Sequence, residues 1–309
     1  MFRLRSLVDW TAYVVVRTGI CVLQALRIES CQQVARLLAW LMADVARVRR
    51  RVVDENLAQA FPQYSPEKRR QVARQMWEHL FLMVAEIAHL PRKVHDSNWR
   101  EYIHMIDGDV VARLCLTDRP RMLVTAHFGN FELLGFVFGL LGFPSYAIAR
   151  PLDNPYLDRF VTKFRGMTGQ FMIPKKGGYD QILQVLASGN TLGFLADQHA
   201  GSKGCWVDFF GRPASTHKAI ALLALEHQAT VLVGAARRRG RPLHYEFRLE
   251  GHLDAREDLP ETAGVRPLTE WYTAQLERMI RRSPEQYWWL HRRWRTPPVR
   301  AAKKKRQAA

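Results

Sequence analysis

A histidine and a glutamate stand between two apolar runs in the segment TAHFGNFELLG, residues 125–135. His127 follows the short run RMLVTA, and Glu132 opens a longer apolar stretch. A carboxylate bound to one nitrogen of an imidazole fixes the tautomer and makes the other nitrogen a better proton acceptor. His127 and Glu132 are therefore our candidate catalytic pair, with the histidine as a general base.

Gly129 and Asn130 decide whether these two side chains can meet. Residues five positions apart on a continuous helix point about 140° apart. Glycine allows a sharp bend, and asparagine favours turns and caps helices. We expect a strand to end at His127 and a helix to begin after Asn130. Ligands of open α/β sheets bind at the carboxyl ends of strands, so this turn is expected to lie in a binding crevice.

The elements that must position this turn follow from the alternation of apolar patterns. Short apolar runs of strand length cover residues 121–126, 145–150, 170–174, 191–197, 230–238 and 243–251. Helical patterns cover 131–142, 179–189, 215–228 and 268–284. This alternation predicts an α/β fold with a central, mostly parallel or mixed sheet flanked by helices in αβα layers.

The first 90 residues are predicted to be helical. Apolar residues recur at helical spacing over residues 31–51. Ser65, Pro66 and Glu67 have the pattern of an N-cap, a first-turn proline and an acidic first turn, and Pro91 is expected to end that helix. We therefore expect one domain over residues 29–296, with a helical part at 31–91 and an α/β core at 120–295.

The N-terminal segment 1–28 is basic and then mostly apolar. It lacks a small-x-small cleavage site, which argues against a removed signal peptide. Asp9, Arg17 and Gln24 interrupt the run, whereas a bilayer span needs about 20 apolar residues. We expect a helix in or on the membrane interface, and the alternative is a core helix of a soluble domain. The arginines expected to meet headgroups are Arg3, Arg5, Arg17 and Arg27.

The charge and the cysteines narrow the class of protein. The formal charge of +17 favours anionic partners: nucleic acid, acidic lipid surfaces or an acidic carrier protein. Four scattered cysteines without a CxxC pair predict neither a metal site nor a disulfide framework. The basic tail at 297–309 follows two prolines and is expected to be disordered.

Five blocks carry a resemblance to a known family. In chain order they are HFGNFE (127–132), ARPLDNP (149–155), FLADQHAG (194–201), VDFFGRPAST (207–216) and EQYWWLHRRWR (285–295). Their order and content resemble the Kdo-dependent lipid A lauroyl/myristoyl (late) acyltransferases, a branch of the lysophospholipid and glycerolipid acyltransferase superfamily. The family also has an N-terminal hydrophobic membrane anchor.

The resemblance implies transfer of a fatty acyl chain from a thioester to a hydroxyl of a lipid A precursor, at the cytoplasmic face of a bacterial inner membrane. An alcohol attacks a thioester poorly unless a base removes its proton, which is the role expected of His127. Glu132 would stabilise the imidazolium that forms. No metal or cofactor is expected; the co-substrate is a thioester of acyl carrier protein or coenzyme A. The charge favours the carrier protein.

Two kinds of alternative stay open. The acceptor could be a lysophospholipid, an amino-acid lipid or a phosphatidylinositol mannoside, because the sequence says little about an acceptor groove. A nucleic-acid-binding protein is a different class that fits the charge. The sequence has no zinc pattern, RNP box or recognition helix, so we expect no nucleic-acid partner.

Other residues in these blocks are candidates for substrate contacts. Arg150, with backbone N–H groups near Gly129 and Asn130, is expected to stabilise an oxyanion or to bind a phosphate. Asp197 is expected to orient Arg150 or the acceptor, or to form a structural salt bridge.

The last block supplies the remaining candidates. Those for headgroup or carrier contact are His291, Arg292 and Arg293. Trp288 and Trp289 are expected to lie either at the membrane interface or in the core.

Overall fold

The computed structural model describes residues 2–295, with side chains from residue 6 onward. The tail predicted to be disordered lies outside these residues. The helices are α1 Phe2–Ala25, α2 Ile28–Trp40, α3 Arg50–Ala60, α4 Pro66–Lys93, α5 Trp99–Tyr102, α6 Gly108–Cys115, α7 Phe131–Leu140, α8 Pro155–Gly166, α9 Tyr179–Ala187, α10 Ala219–Glu226 and α11 Val265–Arg282. The strands are β1 Ile103–Met105, β2 Arg121–Thr125, β3 Ser145–Ala149, β4 Gln170–Pro174, β5 Thr191–Leu195, β6 Cys205–Phe209, β7 Arg212–Thr216, β8 Thr230–Arg238 and β9 Tyr245–Asp254.

Seven strands form one sheet in the order β1-β9-β8-β2-β5-β3-β4. All neighbours are parallel except β8 and β9, which are antiparallel. The predicted mostly parallel or mixed sheet is therefore confirmed, and each predicted strand is present. The patterns did not predict β1 or the separate antiparallel pair of β6 and β7.

The two faces of the sheet bury two different cores. Successive strand residues point to opposite faces, so a strand buried on both sides contributes to both cores. In β2, Met122 and Val124 pack in a core shared with α10 and α11, whereas Leu123 packs in a core shared with α6 and α7. The helices thus cover both faces, as expected for αβα layers.

The helical pattern over residues 31–51 is interrupted. After α2 the chain makes one π-helical turn, Leu41–Val45, and Arg47 and Arg49 then adopt left-handed φ angles of 52° and 51°. Apolar spacing shows which side of a segment faces the core, but not whether the backbone hydrogen bonds continue. The helical interpretation of residues 31–51 therefore holds except for the short connection at residues 46–49.

The start of α4 is as predicted, but its end is not. The Ser65 hydroxyl accepts a hydrogen bond from the Lys68 N–H, and Pro66 is the first helical residue. The helix passes Pro91 and ends at Lys93. A proline this close to the end removes only one N–H, and the Val94 N–H still donates to the Leu90 carbonyl.

The N-terminal helix α1 lies outside both cores. Its segment Ser6–Ala25 has 20 residues and a mean hydropathy of 1.4, enough by length and composition to cross a membrane, and none of it is buried. A core helix of a soluble domain would be mostly buried. Hydrogen bonds connect α1 to its neighbours: Gln24 donates to the Ala88 carbonyl of α4, and Asn154 donates to the Asp9 carbonyl.

Candidate active site

The register of two neighbouring strands brings His127 and Asp197 together. Strands β2 and β5 are parallel, with Thr125 opposite Leu195. His127 and Asp197 each follow this pair by two residues, so they lie side by side at the carboxyl ends of the two strands. The Nδ1 atom of His127 lies 2.9 Å from Oδ1 of Asp197, and both residues are buried.

The charge on Asp197 fixes the tautomer of His127. Burial raises the pKa of Asp197, but His127, His291 and the hydrogen bond lower it more, so this pKa lies below its usual range. The carboxylate is therefore ionised and accepts the Nδ1–H of His127. The Nε2 atom is left as the proton acceptor, as a general base requires.

Glu132 does not contact His127 in the structure. It lies in the first turn of α7, and both of its oxygens accept hydrogen bonds from Arg165 of α8. The Nε–Oε2 distance is 2.9 Å, and both side chains are mostly buried. The bend before α7 occurs as predicted, but it points Glu132 towards α8. Asp197 therefore takes the position beside the imidazole that the sequence assigned to Glu132.

The turn between His127 and α7 is held by backbone bonds on both sides. Gly129 has a φ of +57° and donates its N–H to the Gln286 carbonyl at 2.9 Å. Asn130 donates its N–H to the Ala236 carbonyl at 2.9 Å, and its side chain caps α7 at Leu133. The N-cap prediction is confirmed. These two N–H groups are already engaged, so they are not free to bind an oxyanion.

Arg150 forms its ion pair with a residue other than Asp197. It pairs with Asp153 in the same turn, and 75% of its side chain is exposed. The prediction that Asp197 orients Arg150 is therefore wrong, because Asp197 is buried against His127.

The segment after α11 covers His127. The Trp288 N–H donates to the His127 carbonyl at 3.0 Å, and the two rings lie 5.1 Å apart. The ring of His291 lies 5.0 Å from that of His127. Burial lowers the pKa of His291, and His127 lowers it further, so His291 favours the neutral form. The structure thus places His291 inside the site.

The two arginines that follow differ in environment. Arg293 is buried and donates to the Ser215 carbonyl at 2.6 Å and to the Thr216 hydroxyl at 2.7 Å. It therefore cannot contact a headgroup or a carrier, and that prediction is wrong. Arg292 is exposed. Trp289 is buried, and its Nε1–H donates to the Pro284 carbonyl, so of the two predicted locations it has the core.

A large cavity lies beside the first turn of α7, where Glu132 is located. It has a volume of about 1250 Å³ and lies between α1, α4, α8 and the ends of β3 and β4. Glu132, Arg150 and Arg165 are in its wall. Its apolar lining includes Val16, Ile20, Val84, Ile87, Phe160 and Phe164. This volume exceeds the roughly 300–1,000 Å³ typical of small-molecule pockets.

The family model of bacterial lipid A biosynthesis acyltransferases matches residues 2–296. The chain belongs to this family. It is 29% identical over 257 residues to the lipid A biosynthesis palmitoleoyltransferase of Escherichia coli K12, covering 81% of this chain and 80% of that protein. It is 28% identical over 256 residues to the lauroyltransferase of the same organism, with the same coverage. A lipid A biosynthesis acyltransferase of Haemophilus influenzae is 24% identical over 255 residues, 81% of this chain and 77% of that protein. The acyltransferase activity and the family expected from the five blocks are confirmed.

No feature of the sequence pointed to Arg165 as a site residue. It lies in α8, outside the five blocks, and nothing local distinguishes it from other surface arginines. Its pairing with Glu132 depends on how α8 packs beside α7. The pairing of His127 with Asp197 had a signal: both residues lie just after a strand-like run.

Gly129 offers a test of the turn. A Cβ at Gly129 would overlap the Ala236 carbonyl oxygen, and the φ is left-handed. We expect Gly129→Ala to lower the free energy of unfolding by about 3 kcal/mol or more. Gly142 also has a left-handed φ, but nothing lies within 4 Å of its Cβ position. Gly142→Ala should therefore cost only about 1 kcal/mol. Denaturant unfolding measures both; equal losses would show that the close approach at Gly129 is unimportant.

Proposed function

We propose that this acyltransferase moves a fatty acyl chain from an acyl thioester to a hydroxyl group of a lipid A precursor. The buried His127–Asp197 pair carries the proposal, because it leaves one imidazole nitrogen as a proton acceptor. The large apolar cavity whose wall includes Glu132, five residues further along the chain, supports it. The relatives named as lipid A palmitoleoyl- and lauroyltransferases support the acceptor class.

In the proposed reaction, Nε2 of His127 removes the proton of the acceptor hydroxyl while its oxygen attacks the thioester carbon. A C–O bond forms, and the carbonyl oxygen becomes an oxyanion. The oxyanion then collapses, the C–S bond breaks, and the thiolate takes the proton from the imidazolium. Asp197 stabilises the imidazolium between the two steps, as carboxylates do in related triads.

The oxyanion needs a donor that the ground state leaves unused. The buried Nε1–H of Trp288 has no hydrogen-bond partner among residues 2–295, and its ring lies beside that of His127. It therefore replaces the N–H groups of Gly129 and Asn130 as our candidate donor.

Glu132 acts in this proposal through Arg165. A carboxylate whose two oxygens accept hydrogen bonds from two N–H groups of one guanidinium fixes the orientation of that guanidinium. Glu132 thereby holds a cation in the cavity wall, where it can face an anionic part of a substrate. Arg150, exposed at the same cavity, is suited to binding a phosphate of either substrate. This makes Glu132 part of the binding machinery, with the general base supported separately by Asp197.

The cavity and α1 support a membrane-embedded acceptor. Apolar side chains from α1, α4 and α8 line a space large enough for acyl chains. The α1 helix also carries exposed apolar residues: Leu7, Val8, Trp10, Val15 and Val22. We propose that α1 anchors the enzyme to the cytoplasmic face of the inner membrane, so that lipid chains enter the cavity from the bilayer.

Substitutions at the base test the mechanism. We expect His127→Ala to lower kcat by about 10²–10⁴-fold, because a general base is lost. Asp197→Asn should lower kcat at least about tenfold, and should add little to His127→Ala because the two residues act as a unit. The effects of Glu132→Gln and Asp197→Asn on the activation free energy should add in the double variant, because Glu132 acts through Arg165 and not through His127. Labelled acyl transfer to a purified acceptor measures the three single and two double variants; wild-type turnover by His127→Ala would exclude the base.

Membrane attachment is tested by charge on α1. Val15 and Val22 are 65% and 54% exposed, so Val15→Asp with Val22→Asp should move the protein from the membrane to the soluble fraction without unfolding it. Leu116→Asp is the control, because Leu116 is 75% exposed but lies after α6. Fractionation after a high-salt wash and a melting curve give the result. An α1 double variant that still sediments with membranes would place the anchor elsewhere.

The identity of the acyl donor is tested by the salt dependence of kcat/KM. Acyl carrier protein is acidic, and a chain of charge +17 should attract it over a distance that salt shortens to about 8 Å at physiological ionic strength. We expect carrier thioesters to be preferred over coenzyme A thioesters, with kcat/KM falling several-fold between low and moderate salt. Arg292→Glu should lower kcat/KM with the carrier thioester more than Arg113→Glu in α6 does, because Arg292 is exposed in the block that follows α11. Equal use of both donors would contradict this prediction.

A further inference from the structure

A buried carboxylate lies behind the turn that carries His127. Glu86 of α4 is fully buried. Arg238, at the end of β8, donates to it through Nε at 2.8 Å and also through Nη2. The Leu243 N–H donates to it at 2.8 Å, and so does the Tyr245 hydroxyl. Four donors satisfy the carboxylate, which is the number of acceptor sites it has.

One arm of this cluster reaches Gly129. Arg238 donates from Nη1 to Nδ1 of His79 at 2.7 Å, so the proton of this imidazole is on Nε2. Nε2–H then donates to the Gly129 carbonyl at 3.0 Å. Burial lowers the pKa of His79 well below its usual value, and Arg238 lowers it further, which keeps the ring neutral.

A second arm reaches the next residue of the turn. The Tyr245 hydroxyl donates to Glu86 and accepts a hydrogen bond from Nδ2 of Asn130 at 3.3 Å. Oδ1 of Asn130 caps α7 by accepting the Leu133 N–H at 3.0 Å. The amide of Asn130 is therefore held in one orientation, and the start of α7 is held with it.

We propose that Glu86, Arg238, His79 and Tyr245 form a positioning network that sets the His127–Asn130 turn for catalysis. Two arms from one buried carboxylate bind two consecutive residues of the turn, and His127 lies two residues before the first of them. None of these four side chains lines the cavity, so they act only through the turn. The inference rests on the proposed role of His127 as the base.

The network is suited to precision because its parts come from distant segments. His79 and Glu86 are on α4, whereas Arg238 and Tyr245 are at the adjoining ends of β8 and β9. Buried hydrogen-bonded charges are costly unless every group is paired, so this cluster tolerates one geometry. A misplacement of about 1 Å at a reacting group can cost about a hundredfold in rate.

The test compares variants of the full-length protein in mixed micelles. We expect His79→Leu to lower kcat by about 10- to 100-fold with little change in KM for either substrate. His79→Gln should recover most of this loss, because its amide can donate to Gly129 and accept from Arg238. Tyr245→Phe, which removes only one hydroxyl, should cause a smaller loss of kcat.

Asp254→Asn is the matched control. Asp254 accepts hydrogen bonds from both Nη atoms of Arg119. It lies at the end of the β8–β9 pair that is opposite to the turn. Its variant should lower the melting temperature while kcat stays near that of the wild type. All variants are assayed well below their melting temperatures, so that the folded fraction is equal.

Four outcomes overturn the inference. Wild-type kcat in both His79→Leu and Tyr245→Phe, with His127→Ala inactive, excludes the network but leaves the base intact. Failure of His79→Gln to recover kcat, or an equal loss in Asp254→Asn, shows that kcat follows general stability. Wild-type activity in His127→Ala excludes the base and the network together.

Discussion

The parallel register of β2 and β5 is the constraint on which the site depends. Thr125 pairs with Leu195, and the equal continuation of both chains puts His127 against Asp197. A slip of one residue would turn every side chain of one strand to the opposite face and separate the pair. The buried residues of β2 hold this register from both faces of the sheet, Met122 and Val124 on one face and Leu123 on the other.

The strands, the mixed parallel sheet and the cap of α7 could be predicted because local residues determine them. Apolar runs mark buried strands, and Asn130 accepts a bond from only three residues away. The order of the strands could not be predicted in this way, because β5 lies between β2 and β3 in the sheet and reaches that position by a crossover. No local pattern states which strand edge will lie beside His127. The partner of His127 was therefore assigned by spacing to Glu132, whereas packing against α8 pairs Glu132 with Arg165.

The arginines of the last block, 285–295, show that local sequence also does not tell which charged side chains are exposed. Arg292 and Arg293 are adjacent and identical in type, yet the first is exposed and the second is buried. Burial of Arg293 is possible because β7 offers a carbonyl and a hydroxyl to its guanidinium. A formal charge of +17 thus overstates the charge that a partner can reach. Only tertiary structure separates cations that hold the fold together from those that can bind a ligand.

The position of the covering segment in the chain has a consequence for synthesis. Gln286 and Trp288, whose backbones bind Gly129 and His127, follow every strand and α11 in sequence. During translation α1 is made before the sheet, and the residues that enclose the imidazole are made after it. A nascent chain can complete its sheet while His127 is still uncovered. The candidate site is therefore completed late in synthesis, after every strand and α11 have been made.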